Sequence, residues 1–257
     1  MDVRPAPCLH LLGILASGLL VSACGGEGDT TSTEVSVEGN WSGTVAPAGA
    51  TYSRAAFALI ERNATALFYD EYGIVYRMPR LDGAYTFGGT VRAYAPIGYR
   101  FSSDAPDATY DIEGSAADSQ ITGALHNDSG TGQLTLGPFD TFKKTASVTD
   151  GQWMGYYITP TPYFVGLVVD AQGAVSGDDV LGCHLSGHIR QHSGGENLFD
   201  VTIASTGPRP VCGTEFKGMA HETDYDTFGY FKQEPGTYYY MVVIGGSSAF
   251  AAEFKVQ

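Results

Sequence analysis

The sequence predicts an all-β chain: two tandem antiparallel β-barrel or sandwich repeats following a signal peptide. Three observations predict it. From residue 39 to the end, short runs rich in Val, Ile, Thr, Tyr and Phe alternate with Gly, Pro, Asp and Asn. Behind the leader, no window sets apolar residues at helical spacing behind a cap. The only two tryptophans stand in matching frames, Gly39-Asn40-Trp41-Ser42-Gly43 and Gly151-Gln152-Trp153-Met154-Gly155. Self-similarity of this kind marks a duplicated unit.

Residues 1–23 read as the leader. Arg4 precedes an apolar run from Leu9 to Leu20, which is too short for a membrane-spanning helix of about 20 residues. The run ends in Leu20-Val21-Ser22-Ala23-Cys24-Gly25, which resembles a bacterial lipobox. That resemblance implies cleavage before Cys24 and lipidation of Cys24, so that the chain contacts a membrane through its N-terminal lipid. An ordinary secretory peptide cut near Ala23, leaving a plain thiol, is the alternative. Gly25 after the cysteine is compatible with sorting to an outer membrane, which puts the expected location at the cell envelope. Residues 24–38 are nearly devoid of apolar side chains and read as a tether, because they bury too little to offset the entropy of ordering.

Residues 39–147 form the first β module and 148–257 the second. Strands are expected at Ala55–Ile60, Ile74–Met78, Gln133–Leu136, Phe164–Val169, Phe199–Ile203 and Tyr238–Ile244, with seven or eight strands per module. Three further pairs extend the tryptophan match. Phe57–Ile60 answers Phe164–Leu167, Gly83–Gly88 answers Gly182–Gly187, and Ile121–Ala124 answers Phe216–Met219. Under that alignment Ala84 occupies the place of Cys183. Alternation puts Cys183, Leu185, Gly187 and Ile189 on one strand face and His184, Ser186, His188 and Arg190 on the other.

Four cysteines are present. Cys8 leaves with the leader and Cys24 is taken by lipid, so Cys183 and Cys212 remain as a pair. In an exported chain such a pair is expected to form a disulfide. A thiolate metal site is the other reading, but no CxxC spacing supports it.

Taken together, several motifs carry a family resemblance. They are the glycine-flanked tryptophans, the Gly182-Cys183 strand ending in Gly187, Glu196-Asn197-Leu198-Phe199-Asp200-Val201, and Cys212 followed by the Gly218 strand. Residues 39–257 are similar to a group of uncharacterised bacterial lipoproteins. The resemblance implies small lipocalin-like modules in tandem and no particular chemistry. The first repeat departs from the cysteine-bearing pattern.

Candidate chemistry is sparse. His184, His188 and His192 would share a helix face, but on a strand four residues span roughly 13 Å, too far for one ion. His221, Glu222, Asp224 and Asp226 read as a hydrated turn. Asp224–Gly229 resembles the start of a calcium loop, but Phe228 stands at its fifth position and Pro235 at its twelfth, which rejects an EF-hand. Neither a nucleophile elbow nor a phosphate loop is present. No catalytic residue, metal ligand or cofactor is assigned. Tyr156, Tyr157, Tyr163, Tyr238 and Tyr240 are the candidate ligand surface, since tyrosine offers an apolar face and a polar tip. Trp41 and Trp153 are expected to plug the module ends.

The net charge is −14, which opposes binding to nucleic acid. The expected function is a non-enzymatic, membrane-tethered binding or envelope-interaction protein, with its protein or small-molecule ligand unidentified. A carrier holding a small apolar ligand inside a barrel, and a hydrolase without a recognisable motif, are the competing expectations.

Overall fold

The structure is a computed structural model, and it describes residues 37–61, 66–78, 81, 86–101, 103–139, 147–192 and 197–257. The expected leader, Cys24, most of the expected tether and Ala84 lie outside the described residues. The remainder is all-β, with two closed eight-stranded barrels in sequence. The first comprises β1 (Gly39–Ala46), β2 (Arg54–Ile60), β3 (Ala66–Asp70), β4 (Val75–Arg77), β5 (Thr86–Tyr94), β6 (Asp107–Ala117), β7 (Gln120–Asn127) and β8 (Gly130–Pro138). The second comprises β9 (Gly151–Tyr157), β10 (Tyr163–Val169), β11 (Ala174–Asp179), β12 (His184–Gln191), β13 (Phe199–Thr206), β14 (Thr214–Thr223), β15 (Tyr238–Gly245) and β16 (Ser248–Val256). Every neighbour pairs antiparallel, and β8 returns to β1 as β16 returns to β9. Closure removes the free strand edges that an open sheet would expose.

Alternation builds the walls. In β8 the residues Gly132, Leu134 and Leu136 are buried and Thr131, Gln133 and Thr135 are exposed. In β12, Leu185 and Ile189 point inward with Cys183 just before the strand, as the alternation predicts. Outward positions of β6 are Thr109, Asp111, Glu113 and Ser115, all exposed. Polar outside and apolar inside is the inverse of a membrane-spanning barrel. No helix among the described residues is long and apolar enough to cross a membrane.

Side chains fill both interiors. The second lumen holds Trp153, Tyr157, Phe199, Phe216, Tyr239 and Phe250, none more than 2% exposed. Trp153 stacks on Tyr239 at 4.0 Å between centroids. The first lumen holds Trp41, Phe68, Tyr76 and Phe87 among smaller residues, with Phe68 stacked on Tyr76 at 4.1 Å. An eight-stranded barrel is just wide enough for such a filling.

The duplication is visible in matching bonds. Trp41 Nε1 donates to Val37 O at 2.9 Å, and Trp153 Nε1 donates to Thr149 O at 3.0 Å. Gly39 and Gly151 open their strands at φ 137° and 138°. Pairing corrects the later sequence matches, however. Trp41 faces Ala58 and Trp153 faces Leu167, so Ala58 corresponds to Leu167 and the second match slips by two residues. Gly83–Gly88 leads into the fifth strand of its barrel, whereas Gly182–Gly187 leads into the fourth. Ile121–Ala124 lies in the seventh strand and Phe216–Met219 in the sixth. The cause is length. A tight turn joins β6 to β7, but residues 224–237 separate β14 from β15.

The third-to-fourth hairpin sets the true equivalence. Asp70-Glu71-Tyr72-Gly73-Ile74 and Asp179-Val180-Leu181-Gly182-Cys183 form the same turn. In each, the glycine N–H donates to the aspartate carbonyl, and one aspartate carboxylate oxygen accepts the N–H of the fifth residue. Asx turns of this kind stabilise a reversal locally. Cys183 therefore corresponds to Ile74, not to Ala84.

The barrels pack against each other by their outer walls. Leu59, Leu67, Tyr69, Val75 and Tyr94 of the first meet Met219, Val242, Ala249 and Ala251 of the second. This explains why all of β3 and nearly all of β15 are buried: both faces are covered. Gly73 is needed here twice over. Its φ of +76° suits glycine, and a Cβ would lie 1.7 Å from the carbonyl oxygen of Ile158 in the second barrel. Asn40 Nδ2 lies 2.9 Å from His221 Nδ1 across the same junction.

Candidate functional site

With both lumens filled, a ligand is met on the outer walls. There a cleft of about 590 Å³ opens between the barrels. Leu67, Tyr94, Met219 and Ile244 form its apolar base. Glu61, Arg77, Arg92, Asp200, Glu215 and Lys217 supply charge around it. Strand geometry places them: Arg77 and Arg92 are register partners on β4 and β5, and Thr202 of β13 faces Lys217 of β14. Two of the cations already have partners. Arg92 donates to Asp107, with Nε at 2.8 Å, and Lys217 Nζ lies 2.9 Å from Glu215. At one side of the cleft, His192 stands between Asp200 and Glu61.

The disulfide Cys183–Cys212 is formed, with Cα atoms 5.4 Å apart. It ties the β11–β12 turn to the loop entering β14, and both cysteines are buried. It stands in the second barrel, and neither cysteine lines the cleft.

The five candidate tyrosines do not form one surface. Tyr157 lies wholly inside the second barrel and donates to Asp179 Oδ2 at 2.9 Å. Burial, with the neighbouring Asp179 charge, holds its hydroxyl well above the usual range. Tyr156 points outward onto Phe164, Tyr230 and Phe231. Tyr163 approaches Tyr99, 6.5 Å between centroids. Tyr238 and Tyr240 are buried beneath the loop of residues 224–237. Alternation along β15 separates them from the lumen-facing Tyr239.

That loop also revises the hydrated-turn reading of His221, Glu222, Asp224 and Asp226. His221 and Glu222 belong to β14, and His221 is buried at the barrel junction. Asp226 is buried as well, and its Oδ2 accepts from Phe231 N at 2.9 Å and Gln233 N at 2.7 Å. Asp226 thus acts as the hub of the turn, a role that the surrounding polar sequence conceals.

Beneath this turn lies Glu253, a carboxylate that sequence reasoning missed. It sits alone in the apolar run of β16 and is fully buried. Its Oε1 accepts from Tyr240 OH at 2.5 Å and from Thr227 N at 2.9 Å. Neither Glu253 Oε2 nor Asp226 Oδ1 has a hydrogen-bond partner among the described residues. Burial raises the Glu253 pKa to about 7, against the lowering hydrogen bond from Tyr240 and with Asp226 adding repulsion. Burial and the same carboxylates push Tyr230 up to about 12. Enclosed in this way, Glu253 does not meet a soluble substrate.

The linkage sign follows directly. The folded pKa lies above the unfolded one, so the folded state holds more protons between about pH 4.5 and 7. Stability therefore falls as pH rises through that window, by at most about 3 kcal/mol. Glu253→Gln keeps the acceptor and removes the charge. It is expected to stabilise the protein by roughly 1–2 kcal/mol at pH 8 and to change little at pH 5. Urea titrations at the two pH values measure this. Equal effects at both would show that Glu253 does not titrate within the fold.

The histidine geometry is now explicit. His184 and His188 are exposed on β12, with His184 paired to Asp178. His192 follows the strand, and its side chain is only 12% exposed. His192 therefore departs from the expectation of a solvent-facing strand residue, while His184 and His188 stand on the exposed face of β12. Among the described residues, one group of three potential metal ligands is present: Glu61, His192 and Asp200. Glu61 belongs to the first barrel and the others to the second, a pairing invisible to local motifs. No protein-family model, curated protein or solved structure matches the chain.

Proposed function

We propose that the chain is a lipid-tethered envelope protein that binds its ligand in the cleft between two filled barrels, without catalysing a reaction. The observation that carries this reading is the contrast between lumen and cleft. Both lumens are packed with aromatic and aliphatic side chains, whereas the cleft joins an apolar base to charged walls. Such mixed lining is typical of recognition sites, where a few polar groups fix orientation. A two-barrel protein is compatible with ligand carriage, and the packing moves the expected ligand from the lumen to the outer wall.

The address rests on Leu20-Val21-Ser22-Ala23-Cys24-Gly25 and the polar tract behind it. Lipid on Cys24 supplies the anchor, and residues 24–38 hold the barrels away from the surface. Gly25 supports outer-membrane sorting. Expression in a Gram-negative host with labelled palmitate tests this. The parent is expected to incorporate label and partition with membranes, and globomycin is expected to accumulate the uncleaved precursor. A Cys24→Ser variant that is still labelled, or a parent that is never labelled, would overturn the tether.

A further inference from the structure

The group at the cleft wall has ligand-atom separations that a metal ion can span. His192 Nδ1 lies 2.9 Å from Asp200 Oδ1, a good hydrogen-bond distance. An ionised Asp200 can only accept, so Nδ1 is the donor in that contact, and Nε2 is the ring nitrogen next to Glu61. Nε2 lies 3.4 Å from Glu61 Oε1. A charge-assisted hydrogen bond would draw the atoms to about 2.7–2.9 Å. Two zinc bonds of about 2.0–2.1 Å at the tetrahedral angle set their ligand atoms about 3.4 Å apart. The observed separation is thus that of an edge of a zinc tetrahedron. A carboxylate on the far ring nitrogen is the usual support of a zinc-bound histidine.

We infer that His192 Nε2 and Glu61 Oε1 bind a divalent transition metal, zinc in the first instance, with Asp200 as the positioning residue. The inference deepens the cleft reading by naming a ligand class, but it stands on its own distances. The site spans the two barrels, because Glu61 follows β2 and His192 follows β12. Its second-barrel half is well anchored. His192 N donates to Leu198 O at 2.9 Å. Asn197, next to Leu198, grips the backbone of Glu222 with both ends of its amide, at 2.6 and 2.9 Å. Imidazole and carboxylate together suit zinc more than calcium, which takes oxygen alone. The open cleft leaves the remaining coordination positions to water or to an acidic group of a bound partner.

Titration of the full chain with zinc chloride, followed by calorimetry and by thermal melting, tests the site. The parent is expected to bind one zinc per chain and to melt at a higher temperature with zinc than without. His192→Gln and Glu61→Gln are each expected to weaken binding at least tenfold, and Asp200→Asn by roughly 10- to 100-fold, the range for support of a ligand. His184→Gln, at the exposed His184–Asp178 pair, is expected to bind as the parent does. Cys24→Ser is expected to bind zinc normally, which separates failure of the metal site from failure of the tether. Melting without zinc checks that each variant is folded. A parent with no saturable binding, or a His192→Gln variant that binds like the parent, would overturn the proposal. So would variants that lose zinc-free stability while zinc never raises the parent's melting temperature. Those results would leave Asp200, His192 and Glu61 as an ion-pair bridge alone.

Discussion

Arg54→Ala is expected to lower stability by roughly 2–3 kcal/mol, because it strips the partner from a buried carboxylate while Arg54 itself is only part-buried. Arg54 Nη1 donates to Asp70 Oδ2 at 2.8 Å, and Asp70 is fully buried. The other oxygen, Oδ1, accepts the N–H groups of Tyr72 and Ile74, so the carboxylate also shapes the turn that meets Ile158. The guanidinium lies 4.5 Å from the centre of the Tyr72 ring, which adds a cation–π contact. Burial opposes the Arg54 charge, and the bonds to Asp70 and Tyr52 more than restore it, holding the group above its ordinary value. Burial pushes Asp70 up in spite of Arg54. Without Arg54 that rise grows, and the sign follows as for Glu253. The variant loses most at neutral pH and regains stability as acid protonates Asp70. Adding Asp70→Asn to Arg54→Ala is expected to recover part of the loss. A melting temperature within 2 °C of the parent at pH 7 would show that the pair is not holding the turn.

Loss of the disulfide is the second large effect. A sequence separation of 29 residues gives a loop whose closure stabilises by roughly 3–4 kcal/mol in the chain-entropy model. At about 2–4 °C per kcal/mol for a chain of this size, reduction is expected to lower Tm by roughly 6–16 °C. Cys183→Ser should fall by a similar amount and then ignore reductant. The effect belongs to the second barrel, because Ile74 occupies the corresponding place in the first. Calorimetry with and without reductant measures it. An unchanged Tm on reduction would mean that the bond does not constrain the unfolded chain.

These effects also separate what was legible in the sequence from what was not. Strands were legible because alternation writes the wall directly: Leu185 and Ile189 inward, His184 and His188 outward. The tryptophan frames were legible because each indole sits in the same place with the same carbonyl partner. Register was not. Glycines recur on many strands, where neighbouring walls approach closely, so a Gly-based match can slide by a whole strand. Gly187 and Gly218 illustrate this: a Cβ at either would meet a neighbouring carbonyl at 2.0 Å, though they stand in different strands. Strand count with turn chemistry is the better ruler: the Asp-x-x-Gly turns at Asp70 and Asp179 both join third to fourth strands, whereas the same turn at Asp170 joins second to third.

The site was harder to read for a physical reason. Glu61 and His192 are far apart in sequence, and they meet only because two outer walls pack. Nothing local marks that contact. Glu253 carried one faint signal, a lone acid inside Ala249-Phe250-Ala251-Ala252-Glu253-Phe254. Apolar runs of that kind are buried on both faces, so an acid within one must be buried too. The polar surroundings of Asp226 pointed the opposite way, because its bonds go to backbone N–H groups that sequence does not display.

Tryptophan fluorescence during titration with long-chain fatty acids tests most directly whether binding belongs to the cleft. Trp41 and Trp153 line the two lumens, and Trp153 is stacked on Tyr239. Filled lumens predict no saturable change in tryptophan emission and no fatty acid retained in the native mass spectrum. A saturable spectral shift at one ligand per barrel, with that ligand's mass retained, would contradict them and return the function to carriage inside the barrels.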